Sequence, residues 1–213
     1  MNFINNIKGY LLKRKYQNAL QIINNYRNID GWLTDKEAYG LYNISGKLPE
    51  KGVVVEIGSW KGKSTYCIAK GLKKGVIFAI DPFNAEGEAG SKEIYEENKG
   101  TQPLIDQFQD NMKLAKGNNS IEILQGYSNQ FADHFQKIDF LFIDGDHSIE
   151  GCQYDYQTFS GIVKIGGYIA FHDFYSDRDD LGPTWVIKNL VNNDTRFVFF
   201  RQYDSLWVAK RVL

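Results

Sequence analysis

Residues 53–64 read Val53-Val54-Val55-Glu56-Ile57-Gly58-Ser59-Trp60-Lys61-Gly62-Lys63-Ser64. The run from Val53 to Ile57 is short, β-branched and without alternation, as expected of a strand covered on both faces. Gly58 and Gly62 follow, and glycine lets the backbone turn tightly and approach a ligand closely. A helix from about Lys63 to Lys73 would aim its first free N–H groups back at that loop. The loop is neither a complete G-x-G-x-x-G nor a Walker A motif. Gly62-Lys63-Ser64 reads G-K-S, but Ile57 stands where a phosphate loop needs its first glycine. Taken alone, the glycine pair fits a plain strand-to-helix turn equally well.

The next strand, 76–80, ends at Asp81, 25 residues beyond Glu56. An acid roughly 20 residues past a nucleotide loop, at the end of the following strand, suits the two hydroxyls of an adenosine ribose. A turn aspartate ahead of Pro82 is the plainer alternative. Further strands are expected at 121–124, 138–143 and 167–171, with helices at 103–115 and 148–163 between them. Pro183 opens another helix at its first turn, and 197–200 with 206–209 forms a terminal hairpin. Strands alternating with helices give right-handed crossovers and a mainly parallel sheet. The fold class is therefore α/β, a Rossmann-like doubly wound sheet with an antiparallel terminal hairpin. Such sheets bind ligands beyond the carboxyl ends of their strands.

Residues 3–26 read as an amphipathic helix carrying Ile4, Ile7, Leu11, Leu12, Ala19, Leu20 and Ile23, set apart from a domain spanning 31–213. Lys8, Lys13, Arg14 and Lys15 make its early half basic, and it is expected to pack on the domain or on a second copy rather than on lipid. A helix over 34–46 has Thr34 as N-cap and Glu37 three residues on, a capping box. Residues 84–100 are polar and rich in Gly and Glu, and read as a mobile loop that closes over a ligand.

After the fourth strand comes Asp144-Gly145-Asp146-His147, and after the fifth His172-Asp173. The chain has only three histidines, and two of them fall at these adjacent strand ends. Three carboxylates and two imidazoles brought together need a cation or a proton-transfer role. Individually, Asp146 could cap the helix near Ser148, His172 could bond backbone, and Asp173 could be a loop acid. Asp144 and Asp173 are hard oxygen ligands suited to Mg²⁺, Mn²⁺ or Ca²⁺, and His172 tilts the preference toward Mn²⁺.

The 213 residues amount to one domain with a short appendage, and 43% hydrophobic content with 15% aromatic supplies a core, excluding disorder. A net charge of -1 offers no general attraction to nucleic acid. No apolar run approaches the length of a membrane span, and no secretory signal is recognised at the start. Cys67 and Cys152 are too few and too far apart for a disulfide framework or a zinc knuckle, which suits a reducing cytoplasm.

From about Gly31 to Trp207 the chain resembles the class I S-adenosylmethionine-dependent methyltransferases, most of all those of the methyltransferase domain 24 type. The motifs are Gly31-Trp32-Leu33-Thr34, Val55 to Thr65, Ala79-Ile80-Asp81-Pro82-Phe83, Phe142 to Ser148, and Gly166 to Asp173. The resemblance implies a seven-stranded sheet with the last strand inserted antiparallel. It implies S-adenosylmethionine bordered at its methionine end by Glu56 and Gly58, held at the ribose by Asp81 and along the adenine edge by Gly126, Tyr127 and Ser128, with Ser59, Trp60, Gly62, Ser64 and Asp144 also binding it. Trp60 departs from the family's usual middle glycine. Metal-dependent relatives hold Mg²⁺ at positions matching Asp144, His172 and Asp173, with His172 a departure from the usual acid. Their proton acceptors map onto Asp146 in sugar-modifying relatives and His147 in catechol-type ones.

The expected activity is O-methylation of a hydroxyl on a sugar or other small polyol. Two other readings compete. Asp144-Gly145-Asp146 is a D-x-D, as in nucleotide-sugar glycosyltransferases, although that leaves Glu56, Gly58 and Asp81 unexplained. A non-catalytic binding protein on the same scaffold could dock through the basic N-terminal helix, which could equally form a homodimer.

Overall fold

The computed structural model describes residues 2–87, 91–115 and 117–213, with side chains from Gly9 onward. Ile4 and Ile7 therefore lie outside the described side chains. Seven strands form one sheet in the order β3-β2-β1-β4-β5-β7-β6. They are β1 Gly52–Ile57, β2 Gly75–Asp81, β3 Ser120–Gln125, β4 Ile138–Ile143, β5 Val163–Phe171, β6 Phe197–Tyr203 and β7 Leu206–Arg211. The helices are α1 Asn2–Ile22, α2 Asp35–Ser45, α3 Lys63–Gly71, α4 Lys92–Asn98, α5 Leu104–Met112, α6 Ile149–Phe159 and α7 Gly182–Asn189.

Val54, Val55 and Ile57 of β1 pair in parallel with Ile77, Phe78 and Ile80 on one side and with Phe140, Leu141 and Ile143 on the other. Both faces of this central strand are covered, which is why its sequence lacks alternation. On one face Val54, Phe140 and Phe142 meet Leu41, Ile44, Tyr66 and Ile68 from α2 and α3. On the other, Val55, Leu141 and Ile143 meet Cys152, Tyr156 and Phe159 of α6 and Val186 of α7. The last strand, β7, runs antiparallel between β5 and the edge strand β6. The expected doubly wound sheet with an antiparallel terminal hairpin is the one found.

The expected capping box at α2 is complete, with the Thr34 hydroxyl accepting from Glu37 N at 3.3 Å and Glu37 Oε2 accepting from Thr34 N at 2.8 Å. Three stretches differ from expectation. The first helix ends at Ile22, and a 3-10 turn over Asn24–Asn28 follows. Asparagine side chains compete for local bonds, and here Asn24 Oδ1 accepts from Arg27 Nη1 at 2.8 Å. Among the described side chains of residues 9–26, Ala19, Leu20, Ile23 and Tyr26 are buried, whereas Tyr10, Leu11, Leu12 and Ile22 are exposed. The fifth strand begins at Val163, four residues before Gly167, because its start pairs with Ile138 before a register shift. Within 84–100 the helix α4 stands, with none of its residues buried, while Gly90 lies outside the described residues. Seven residues without a buried stripe leave no periodicity to read.

Candidate active site

Four backbone bonds extend the sheet past its carboxyl edge. Gly58 N donates to Ile80 O (2.9 Å), Gly126 N to Asp81 O (3.0 Å), Asp144 N to Ile57 O (2.9 Å) and His172 N to Ile143 O (3.1 Å). The loops after β1 to β5 are thereby set side by side. They line one cavity of about 720 Å³, together with Gly31–Leu33, residues 84–87 and part of α4. That volume suits a nucleoside-sized ligand and an acceptor.

Gly58 and Gly62 both have φ in the left-handed region, at 84° and 86°. A Cβ on Gly58 would lie 2.1 Å from the Asp144 carbonyl oxygen, so this glycine is what allows the loops after β1 and β4 to touch. Gly58, Ser59, Trp60 and Ser64 line the cavity, whereas Glu56 and Gly62 do not. Glu56 is fully buried behind the loop. Its Oε2 accepts from the Ser59 hydroxyl at 2.9 Å and from the Thr65 hydroxyl, and Oε1 has no partner among the described residues. Burial pushes its carboxyl up to about 7, against the opposing pull of the Ser64, Thr65 and Ser59 hydroxyls.

Asp81 lies at the end of β2, as expected, and fastens the glycine loop. Its Oδ2 accepts from Ser59 N (2.9 Å) and Trp60 N (2.8 Å), and its Oδ1 from Phe83 N (2.6 Å). A carboxylate has about four acceptor sites, so these three bonds leave room for about one ligand hydroxyl rather than two. Gly126, Tyr127 and Ser128 line the cavity beside it. The Tyr127 hydroxyl donates to Glu86 Oε2 at 3.0 Å, and Asn84 Nδ2 donates to the Tyr127 oxygen at 3.0 Å.

At the ends of β4 and β5, Asp144, His147 and Asp173 each bring one ligand-type atom to within 4.8 Å of the others. His147 Nε2 stands 3.4 Å from both Asp144 Oδ1 and Asp173 Oδ2. His172 Nδ1 lies 3.3 Å from Asp144 Oδ1 and 3.2 Å from Asp173 Oδ2. Its Nε2 faces Glu37 Oε2 at 3.5 Å, an ion-pair distance rather than a formed hydrogen bond. Burial alone would depress the His172 pKa, but the surrounding Asp144, Asp173 and Glu37 carboxylates outweigh it and raise the value well above the usual range. The three groups gathered closely enough for a metal thus include His147 where the sequence suggested His172. A histidine that keeps its proton is a hydrogen-bond donor and not a ligand.

Asp146 lines the same cavity but is not among the three groups gathered closely enough for a metal. Its Oδ1 accepts from Ser148 N at 2.8 Å, and a Cβ on Gly151 would lie 2.5 Å from its Oδ2. Ser148, not Asp146, caps α6, its hydroxyl accepting from Gly151 N. Among the described residues, the three-membered group that could share a metal ion contains Asp144 and not Asp146.

Four groups were not legible as site residues. Glu37 was read only as a cap, yet its Oε1 also accepts from Ser205 N (2.9 Å) and its hydroxyl (2.7 Å), so one buried carboxylate joins α2, the β6–β7 turn and His172. Lys61 is buried, donating to Asp30 Oδ2 (3.0 Å) and to the Asn98 carbonyl at the end of α4 (2.6 Å). Tyr95 of α4 packs at 5.2 Å from Trp60 and 5.5 Å from Trp32, measured between ring centroids, and all three rings line the cavity. Asp155 is buried and accepts the Ser128 hydroxyl. Its signal was an acid among Cys152, Tyr156 and Phe159, the buried stripe of α6.

No described helix is long and apolar enough to cross a membrane. A family model described as "Methyltransferase domain", of the domain 24 type, matches residues 55–174. Three solved structures show the same fold. The O-methyltransferase NovP is similar with a TM-score of 0.61 at 15% identity, over 84% of this chain and 81% of that one. An O-methyltransferase from Bacillus cereus in complex with SAH is similar at 0.60 and 16%, over 93% and 90%. The O-methyltransferase TomG from Streptomyces achromogenes, in complex with SAM, is similar at 0.60 and 13%, over 93% and 89%. With sheet order, glycine loop and family model in agreement, the chain belongs to the class I S-adenosylmethionine-dependent methyltransferases of the methyltransferase domain 24 type.

Proposed function

We propose that this enzyme methylates a hydroxyl oxygen of a small acceptor, a sugar or other polyol, with His147 taking the proton. The observation that carries the reading is the gathering of His147 Nε2, Asp144 and Asp173 at the mouth of β4 and β5, inside the same cavity as the glycine loop. The solved relatives described as O-methyltransferases support an oxygen acceptor. When bound, S-adenosylmethionine supplies a methyl group already activated by its sulfonium. The chain's own residues position and deprotonate the acceptor, and alignment by itself is worth up to roughly 7–11 kcal/mol in ideal cases. His147 would take the proton that the acceptor hydroxyl loses on methylation, and Asp144 and Asp173 would stabilise the resulting imidazolium. His172 holds those two carboxylates in place, and Glu37 holds His172. The cofactor fits the residues present: Gly58 and Gly145 line the cavity, and Asp81 retains about one acceptor site.

A second reading is favoured by the 4.8 Å grouping: Asp144, His147 and Asp173 would hold Mg²⁺ or Mn²⁺, which would stabilise a developing alkoxide. Asp146, which lines the same cavity, would then take the proton. The two readings separate in one experiment on a panel of hydroxyl acceptors. With His147 as base, His147→Ala lowers kcat by roughly 10²–10⁴, Asp146→Asn does not, and EDTA changes nothing. Loss of activity in EDTA, restored by Mn²⁺, would establish the metal reading. No turnover of any hydroxyl acceptor by the wild type would overturn both. The assembly of a homodimer through α1 remains a proposal supported by the exposed Tyr10, Leu11 and Leu12.

A further inference from the structure

Six carboxylates line the cavity, those of Asp81, Glu86, Asp144, Asp146, Asp155 and Asp173. Among the described lining residues there is no arginine, and Lys63 is the one lysine. Its Nζ is committed to the wall, donating to the Gly31 carbonyl at 2.8 Å and standing 5.7 Å from the centre of the Tyr26 ring. The two histidines of the cavity already face Asp144 and Asp173. Phosphate is recognised by guanidinium forks or free ammonium groups, and neither is offered here. A phosphorylated or nucleotide-linked acceptor would instead meet like charge in a confined space.

The cavity also has an aromatic rim. Trp32 is half exposed and lines it. Trp60 lies beside Trp32 at 5.9 Å between centroids and 42° between planes, and Tyr95 meets it edge-on at 5.5 Å and 87°. Neither ring is parallel to Trp32, so among the described residues the three make an open platform and not a slot for a flat ring. Trp32 belongs to the stretch of chain that joins the glycine loop to the cluster at β4 and β5. At one end a Cβ on Gly31 would lie 3.4 Å from the Lys63 Cβ. At the other end Glu37 faces His172 at 3.5 Å.

We propose that the acceptor is an uncharged pyranoside, its apolar face laid on Trp32 and its hydroxyls turned to the carboxylates. The inference rests on the reading that the enzyme methylates a hydroxyl, and it names the class of molecule that carries that hydroxyl. The face of an indole is electron-rich and attracts the polarised C–H groups of a sugar ring. A carboxylate is an acceptor only, so it takes hydroxyl protons. A platform open on one side suits a puckered ring, and the acids disfavour the same sugar bearing a phosphate.

The test measures methyl transfer from S-adenosylmethionine to a panel of methyl hexosides, the matching hexose 1-phosphates and UDP-hexoses, and catechol. Wild type, Trp32→Ala and Trp32→Tyr are compared. Methyl hexosides are expected to show kcat/KM about tenfold or more above their phosphorylated and nucleotide-linked counterparts, with the gap narrowing as salt is raised. Trp32→Ala is expected to raise KM for the hexosides by about tenfold, as for one aromatic contact, with kcat held within about threefold. Trp32→Tyr, which keeps a ring, recovers most of that loss. The comparison of charged with uncharged sugars uses the wild type alone and stands even if Trp32→Ala does not fold. An unchanged KM in Trp32→Ala, a preference for phosphorylated or nucleotide-linked sugars, or turnover of catechol alone overturns this inference and leaves hydroxyl methylation standing. No turnover of any acceptor by the wild type overturns both.

Discussion

Gly58 and Gly62 share nearly the same backbone conformation, at φ 84° and 86°, but not the same neighbours. Replacing either with alanine forces an L side chain into the left-handed region, at about 1–2 kcal/mol. For Gly58 the added Cβ also lands 2.1 Å from the Asp144 carbonyl oxygen and 2.5 Å from its carbon. Backbone cannot rotate away, so the loops after β1 and β4 must separate, at roughly 1–3 kcal/mol more. For Gly62 the close atom is Met112 Cε at 2.5 Å, with the Phe108 ring at 3.0 Å. A thioether end swings aside at little cost. Gly58→Ala should therefore lose roughly 2–5 kcal/mol and Gly62→Ala roughly 1–2. At about 2–4 °C per kcal/mol for a chain of this size, the melting midpoints fall by about 10 °C and about 4 °C respectively. Calorimetric melting measures both, and titration with S-adenosylhomocysteine should show weakened binding for Gly58→Ala beyond that of Gly62→Ala. Equal losses, or a larger one at Gly62, would refute the reasoning, because then the left-handed backbone and not the contact with Asp144 sets the cost.

Asp81→Ala removes three amide bonds from the loop and its remaining acceptor site, so affinity for S-adenosylhomocysteine should fall by roughly 1.5–3 kcal/mol; unchanged calorimetric affinity would contradict that. Glu37 is buried yet lowered to about 2 by His172, Thr34 and Ser205, which outweigh burial, so its stabilisation is present above about 4.5 and is lost as pH falls toward 2. Glu37→Gln should then cost roughly 3 kcal/mol at pH 6, with the difference from wild type shrinking on acidification, as denaturant melts across pH 2.5–7 would record. His172, raised above its usual value, contributes stability fully present below about 6.5 and lost as pH rises through its folded value, so wild-type stability should also decline on the alkaline side. Lys61→Met should free the end of α4 and speed amide exchange across 92–98; exchange identical to wild type would remove the role of Lys61 in holding that helix.

The mainly parallel sheet was legible because β1 and β4 are apolar without alternation, and because strand ends are marked by Gly58, Asp81, Asp144 and His172, whereas the strand order comes from the structure. The cluster at β4 and β5 could be read from the rarity of histidine. Which way each side chain points could not: Asp146 and His147 are adjacent in sequence, and only a backbone turn sends one to Ser148 N and the other to Asp173. Glu37 was hidden because its capping bond accounted for it fully, although its second oxygen is committed 168 residues away. Residues 84–100 read as loop because α4 buries nothing on the sheet and is held by Tyr95 and Lys61, contacts that leave no local pattern.

The aromatic group at the cavity mouth has a spectroscopic consequence. The chain has four tryptophans, and two of them, Trp32 and Trp60, face this opening, with Trp32 50% exposed. Trp207 of β7 is buried. Emission from Trp32 is therefore the red-shifted component, and it is the one that a ligand would dehydrate. Tyr95 stands within energy-transfer range of both indoles, and it moves with α4. The protein thus carries an intrinsic optical gauge of cavity occupancy, readable without a label, in which a shift toward the blue reports filling and a change in tyrosine-to-tryptophan transfer reports the position of α4.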